Sequence, residues 1–181
     1  MKKTFIFGIL SAIAVTVFCA EPVIDPPAPA TDRVGFPEAY QEKFKVLRSV
    51  NRTEKQQVVT VYGNDLAASI TRTNDLPYPN GSVIVMETAD AKKDAASKPL
   101  LDEQGHYRKD KVVGLHVMRR GKDFGETYAK NRSGEWEYVE FRADKTYITP
   151  PQKSFACASC HIKAGPEKDF VYGGRFAAAS K

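Results

Sequence analysis

The chain has few of the residues that most often bind metals or form disulfide bonds. Its 181 residues include three cysteines and three histidines. Because Cys19 lies far from Cys157 and Cys160, the sequence supports no disulfide framework. Zinc ribbons and fingers need a second pair of ligands at a fixed spacing, and His106 and His116 do not provide it. The net charge of +5 comes without a block of lysines or arginines, so no nucleic-acid partner is indicated.

Two of the cysteines belong to the segment Cys157-Ala158-Ser159-Cys160-His161. This spacing is typical of c-type haem attachment, in which two thiols bind the porphyrin vinyl groups and the following histidine ligates the iron. On a helix, Cys157 and Cys160 share a face, and His161 lies four residues after Cys157. The motif predicts one covalent haem c with His161 as the iron ligand.

Three other uses of the cysteine pair remain as alternatives. Zinc binding lacks its second ligand pair, and a thioredoxin-like pair belongs beside a βαβ unit. A disulfide between residues three apart would close a very small loop and stabilise the fold little. Haem attachment is the favoured interpretation, provided that the protein is exported.

The N-terminus is typical of a secretory signal peptide. Basic residues at Met1-Lys2-Lys3 precede an apolar run, Thr4–Ala20, that is short for a membrane span. A lipid anchor at Cys19 and an uncleaved anchor are alternatives. We expect a periplasmic protein in three parts: a signal peptide at 1–20, a proline-rich linker at 21–35 and a single haem domain at 36–181.

Residue patterns predict an α+β fold with a mainly antiparallel sheet and peripheral helices. Tyr40, Phe44 and Leu47 recur at helical spacing, so residues 37–48 are predicted to form an amphipathic helix. A short helix capped by Asn64 or Asp65 and a long surface excursion at 88–110 are also expected. β-branched and aromatic residues predict strands at 57–62, 82–87, 111–119 and 135–141.

Alternation along two of these strands separates their side chains into faces. In the third strand, one face is expected to carry Val113, Leu115 and Val117, and the other Val112, His116 and Met118. In the fourth strand, Trp136, Tyr138 and Glu140 are expected to point the same way.

Several segments together resemble the cytochrome P-460 family, which includes the cytochromes c′-beta. The likeness is carried by Pro79–Glu87, Gly114–Arg120, Gly134–Phe141, Cys157–His161 and Asp169–Tyr172. It covers the chain from about Phe36 to Phe176 and implies a mainly β, dimeric, periplasmic protein with one haem. It also implies that Cys157 and Cys160 form the thioether bonds and that His161 is the proximal ligand.

One position departs from the family pattern. Members that oxidise hydroxylamine carry a lysine cross-linked to the porphyrin, and Met86 stands at the corresponding position here. A thioether cannot form that bond, and Lys92 or Lys93 could replace it only if the strand register slipped. The resemblance therefore favours the c′-beta branch, whose five-coordinate haem binds nitric oxide or carbon monoxide. An enzyme that oxidises hydroxylamine or nitric oxide, and a six-coordinate electron carrier, are the alternatives.

The side chains opposite the histidine ligand decide between these functions. Met86 is expected to contact the haem, where it is a candidate sixth ligand, although a methionine at this spacing is commonly a core residue. His116 and Glu140 are candidates for moving protons, and Glu140 is favoured over the other carboxylates, Glu87 and Glu137, which are interpreted as solvated residues at sheet edges.

Aromatic residues flank the haem motif on both sides. Phe155, Phe170, Tyr172 and Phe176 are interpreted as apolar packing around the cofactor. The expected partners are a small gaseous or nitrogen-oxide ligand, a redox partner cytochrome and a second copy of the chain.

Overall fold

The computed structural model describes Pro29 and residues 31–122 and 130–172. The strands of this part are β1 (Lys45–Arg52), β2 (Gln57–Gly63), β3 (Val83–Ala91), β4 (Lys109–Arg120), β5 (Arg132–Ser133), β6 (Trp136–Phe141) and β7 (Tyr147–Thr149). Its α-helices are α1 (Tyr40–Lys43), α2 (Asp65–Ala68) and α3 (Phe155–Ile162). The predicted signal peptide lies outside the described residues, as does part of the predicted linker.

The strands form one antiparallel sheet with the hydrogen-bonded order β1-β2-β3-β4-β6-β5. The short strand β7 pairs with the end of β6, on the same side as β5. This architecture confirms the predicted α+β class, and the four strands expected from the sequence correspond to β2, β3, β4 and β6. In the described part of the chain, no helix is long and apolar enough to cross a membrane.

The helix predicted over residues 37–48 is wrong for most of its length. Only Tyr40–Lys43 is helical, because Ala39 before it has a left-handed backbone (φ 53°) and Phe44 after it is extended. From Lys45 onwards the chain forms β1 and pairs with β2. Pairing of the main chain within the sheet therefore overrides the local helical pattern.

The surface excursion predicted at 88–110 is confirmed for residues 92–108, which are mostly exposed, whereas its two ends belong to strands. β3 continues to Ala91, and β4 begins at Lys109. Between them the chain folds back on itself through two antiparallel bridges, Lys93 with Pro99 and Leu101 with Tyr107. Few hydrophobic residues mark this region, which explains why its pairing was not predicted.

A β-bulge changes the predicted faces of β4. The register with β3 skips Val113, which is the extra residue of the bulge. Alternation reverses beyond an inserted residue. Val112 therefore packs with Leu115 and Val117, and the prediction that it lies on the opposite face is wrong.

The sheet carries apolar clusters on both faces. The face that packs against α3, called the α3 face below, includes Val61, Ile84, Met118, Trp136, Tyr138 and Ala158. The opposite face includes Tyr40, Tyr62, Val85, Leu115, Val117, Val139 and Phe141. Alternation along each strand supplies both clusters at once.

A buried ionic network lies on the opposite face. The Glu87 side chain has 0% exposure, and Lys109 Nζ donates to Glu87 Oε1 and to Tyr62 Oη, each at 2.5 Å. Tyr40 Oη and Gln41 Nε2 donate to Glu87 Oε2. Burial alone would lower the pKa of Lys109, but its hydrogen bonds to Glu87 and Tyr62 raise that pKa above its ordinary value. The lysine is therefore held charged against the carboxylate.

The interpretation of Glu87 and Glu137 as solvated residues is wrong. Both are buried, and burial raises the pKa of Glu137 above its ordinary value, against the opposing effect of Arg132. Their burial has a simple cause, since β3 and β6 are covered on both faces and have no solvated edge at these positions.

The network predicts a large difference between two lysine substitutions. Lys109→Met would leave the Glu87 carboxylate buried without its cation, and we expect a loss of about 3 kcal/mol in the free energy of unfolding, near the lower end for broken buried pairs because Tyr40 and Gln41 still donate. Urea-induced unfolding at neutral pH measures this loss.

Lys145→Met is the matched control. Lys145 also pairs with a glutamate, Glu38, and also lies over an aromatic ring, that of Phe36, but both charged side chains are more than half exposed. Exposed pairs contribute less than about 1 kcal/mol. Equal losses in the two variants would show that the burial of Glu87 carries no energetic weight.

Candidate functional site

A cavity of about 400 Å³ lies between α3 and the sheet. Its floor is a row of side chains that are register partners across neighbouring strands: Arg48, Val61, Met86, His116 and Glu140. A further row from the same strands adds Ile84, Met118 and Tyr138. The cavity is within the size range of small-molecule and cofactor sites and is lined mainly by apolar groups.

Helix α3 carries the Cys-x-x-Cys-His motif along this cavity. Asn131 Nδ2 donates to Ser154 Oγ at 3.1 Å and to the Pro151 carbonyl at 3.3 Å, which anchors the start of the helix. Ala158, inside the motif, is fully buried against the sheet. This contact turns the cysteines and His161 together towards the space between helix and sheet.

The two cysteines are free thiols in different environments. Cys160 is exposed and Cys157 is half-buried. Burial raises the pKa of Cys157 to about 11, and the nearby Glu140 carboxylate acts in the same direction. Cys157 Sγ lies 4.0 Å from Glu140 Oε1. The Cys157 thiol therefore stays protonated at neutral pH.

His161 is held in one orientation. Its Nδ1 lies 2.8 Å from the Phe170 carbonyl oxygen, and because a carbonyl can only accept, Nδ1 carries the proton and Nε2 keeps a free lone pair. The imidazole packs on Tyr138 (4.6 Å between ring centroids) and meets the edge of Tyr172 (5.5 Å). Burial lowers the pKa of His161, which favours the neutral form that binds metals.

Met86, His116 and Glu140 meet on the cavity floor. Met86 pairs across strands with His116, and His116 pairs with Glu140. His116 Nδ1 lies 2.5 Å from Glu140 Oε1, and Thr149 Oγ1 donates to Glu140 Oε2 at 2.5 Å. The hydrogen bond from His116, with help from Thr149, holds the pKa of Glu140 below its usual range against the effect of burial.

The structure thus brings together six of the residues singled out in the sequence. Met86, His116, Glu140, Cys157, Cys160 and His161 all line the cavity. Lys92 and Lys93 lie beyond the end of β3 and are not among the lining residues. The register keeps Met86 facing the cavity, so neither lysine takes its position.

The flanking aromatic residues have different environments. Phe170 packs against the apolar cluster of the α3 face, and Tyr172 lines the cavity while remaining 47% exposed. Phe155 is mainly exposed, at 56%. Phe176 lies outside the described residues.

Two contributors to the site were not predicted from the sequence. Arg48 lines the cavity, but residues 37–48 were expected to be helical, which concealed its place on a strand. The Phe170 carbonyl fixes His161, but every residue has a main-chain carbonyl, so the sequence does not show which one accepts this hydrogen bond. A hydrogen-bond partner for the imidazole could be expected in general terms, because histidine ligands usually have one.

These features fit a haem. An apolar cavity beside two thiols can accommodate a porphyrin, and an imidazole whose Nδ1–H is bonded to a carbonyl presents its other nitrogen as a metal ligand. The site is that of a haem-binding cytochrome. The family model for cytochrome P460 matches residues 37–173, most of the chain, and the chain belongs to this family. A comparison with curated proteins found no match.

The Glu140 environment predicts a pH-dependent effect of Glu140→Gln. Because the pKa of Glu140 is lowered in the folded protein, its carboxylate stabilises the fold above the unfolded pKa and loses that effect as the pH falls through the folded pKa. We expect the substitution to cost about 1–2 kcal/mol at pH 7. The cost should shrink as the pH falls below the ordinary glutamate pKa of about 4.3, because the unfolded wild-type chain then takes up a proton at Glu140 while the folded protein still holds the carboxylate ionised.

Urea-induced unfolding of both proteins between pH 7 and pH 3.5 checks this dependence. The exposed Glu38→Gln serves as control, with an expected change below about 1 kcal/mol at pH 7. A cost for Glu140→Gln that stays constant down to pH 3.5 would contradict the stabilised carboxylate.

Proposed function

We propose that this protein is an exported c-type cytochrome with one haem, joined to Cys157 and Cys160 and ligated by His161, that binds nitric oxide or related small nitrogen oxides at an open coordination position. The hydrogen bond from His161 Nδ1 to the Phe170 carbonyl carries the proposal, since it leaves Nε2 free on a side chain that lines the cavity. Membership of the cytochrome P460 family supports the haem itself.

Covalent attachment would use the two thiols of α3. Each S–H would add across one vinyl double bond of the porphyrin, forming a carbon–sulfur bond and passing the thiol hydrogen to the other vinyl carbon. The addition needs no oxidant or reductant. When bound, the haem supplies an iron that takes up small ligands and exchanges single electrons. His161 would hold this iron, and Tyr138 keeps the imidazole ring in place by packing against it at an interplanar angle of 34°.

The open coordination position is supported by the engagement of the other candidate ligands. Met86 packs against the apolar cluster of the α3 face, and Met118 is a buried member of it. Both methionines therefore have packing roles without an iron, so a five-coordinate haem that accepts a diatomic ligand is the favoured state.

A second candidate function is the oxidation of hydroxylamine or nitric oxide. It is favoured by the His116–Glu140 pair, because an imidazole and a carboxylate side by side on the cavity floor are groups that can accept a proton from a bound substrate. Met86 argues against it, since this residue replaces the cross-linking lysine of the hydroxylamine-oxidising members in the resemblance described above.

Export to the periplasm and pairing of two copies complete the proposal. The proposal of export rests on the signal-like segment at residues 1–20. In the periplasm, the protein would exchange electrons with a partner cytochrome. A homodimer is supported by exposed apolar side chains on the edge strand β1, where Val46 and Val50 are 53% and 43% exposed.

Optical spectra test the coordination state. From a host that matures c-type cytochromes, we expect a coloured protein whose reduced form is high-spin and changes on addition of nitric oxide or carbon monoxide. A low-spin spectrum in both oxidation states would instead support an electron carrier, and Met86→Leu would then show whether Met86 is the sixth ligand. Turnover of hydroxylamine with an electron acceptor would support the enzyme, and a colourless product would overturn the proposal.

The mass of the haem peptide tests the interpretation of Met86. Proteolysis should release a peptide containing Cys157–His161 whose added mass is that of one haem, because two thioether additions neither gain nor lose atoms. A second peptide joined to the porphyrin, from β3 or from the segment with Lys92 and Lys93, would show a cross-link and contradict the assignment to the c′-beta branch.

A further inference from the structure

We infer that Arg120, Asp169 and Gly134 position the iron ligand by fixing the Phe170 carbonyl that accepts the His161 Nδ1–H bond. The inference rests on the proposed role of His161. None of these three residues lines the cavity. Arg120 ends β4, Gly134 lies in the turn before β6, and Asp169 lies in the segment after α3.

The backbone around this carbonyl has an unusual conformation. Asp169 and Phe170 both have positive φ angles, 48° and 60°, in the left-handed region that residues other than glycine rarely adopt. Two such residues in succession persist only when their surroundings hold them. Two main-chain bonds close the turn, from the Phe170 N–H to the Gly165 carbonyl at 2.9 Å and from the Val171 N–H to the Lys168 carbonyl at 3.1 Å. Two further contacts fix this turn, and with it the Phe170 carbonyl, against the rest of the protein.

The first contact is a buried carboxylate. Asp169 Oδ2 accepts from the Tyr78 backbone N–H at 3.0 Å and from Arg120 Nε at 3.1 Å. The other end of the guanidinium is fixed as well, with Arg120 Nη2 2.7 Å from Glu135 Oε2. Asp169 and Arg120 are 6% and 9% exposed, so water screens this pair little. Asp169 is thus held by the end of β4 and by the segment that precedes β3.

The second contact is the packing of the Phe170 ring against Gly134. A Cβ at Gly134 would stand 2.6 Å from Phe170 Cε2, which is closer than carbon atoms pack, so the ring would have to move. Gly134 also has a positive φ of 57°, so glycine is required there both for the turn and for the ring. The Asp169 carboxylate and the Phe170 ring are thus both fixed. The peptide group that carries the Phe170 carbonyl therefore has little freedom to rotate.

The position of the carbonyl controls how strongly the imidazole donates to iron. A hydrogen bond to Nδ1–H makes the opposite nitrogen more basic, and groups that act in this way typically change metal affinity or activity about 10–100-fold. A more basic ligand favours ferric over ferrous iron. Loosening the Asp169–Phe170 segment should therefore shift the equilibrium towards the ferrous state.

Asp169→Asn tests the carboxylate with little change of shape. Asparagine tolerates the left-handed conformation, so the substitution removes chiefly the charge that Arg120 binds. We expect a shift of about tenfold in the ferric–ferrous equilibrium towards ferrous, equivalent to a rise of about 59 mV for a one-electron couple. The iron–imidazole stretching frequency of the ferrous protein, measured by resonance Raman spectroscopy, should fall at the same time.

Gly134→Ala tests the ring contact, with Gly105→Ala as its matched control. Gly105 also has a positive φ, 80°, but nothing lies within 4 Å of a Cβ built there. Both substitutions strain the backbone, and only the one at Gly134 displaces Phe170. We expect the potential and the stretching frequency to change in Gly134→Ala and to remain at wild-type values in Gly105→Ala. Thermal unfolding of both variants provides the comparison of stability.

Measurements on the wild type test the proposed role of His161, and measurements on the variants test the positioning role of Asp169 and Gly134. If ferrous wild type shows no iron–imidazole band, the proposed five-coordinate haem ligated by His161 is wrong and this inference falls with it. If wild type shows the band and both Asp169→Asn and Gly134→Ala keep the wild-type potential and frequency, the positioning role alone is wrong. A change in Gly105→Ala equal to that in Gly134→Ala would also overturn it.

Discussion

The register of the antiparallel sheet is the constraint on which the site depends. Side chains alternate between faces, so a slip of one residue would move every cavity-facing group of a strand to the other side. Met86 and Glu87, neighbours on β3, show the effect that such a slip would have. Met86 faces the cavity, whereas Glu87 is fully buried on the opposite face with Lys109 and Tyr40. A slipped β3 would bring a carboxylate beneath α3 and leave a thioether among the hydrogen-bond donors of the opposite face. The buried ionic pair therefore specifies the register as well as contributing to stability.

The two faces of the sheet carry charged pairs in different environments. The Glu87 carboxylate is fully buried, with each oxygen matched to donors. The Glu140–His116 pair borders the cavity, where His116 has a half-exposed side chain. One carboxylate is thus part of the packed interior, and the other lies beside the space in which the proposal places the haem.

The sequence predicted most of what depends on local chemistry. The Cys-x-x-Cys-His motif, the strands that became β2, β3, β4 and β6, and the shared face of Tyr138 and Glu140 could all be read from residue types and spacing. The errors occurred where distant pairing decides the outcome. β1 resembles a helix until β2 is beside it, and the bulge at Val113 has no signature in a single strand. Likewise, Glu87 resembles a surface residue because its partners come from α1 and β4, distant in the chain.

The order of the elements along the chain has a consequence for assembly. All seven described strands precede α3, so the floor of the cavity is synthesised before the helix that covers it. In a chain exported from its N-terminus, as proposed here, the sheet reaches the far side of the membrane first and the cysteine motif follows. A porphyrin delivered at that stage can meet Cys157 while this thiol is still accessible, and docking of α3 then encloses a cofactor that is already attached.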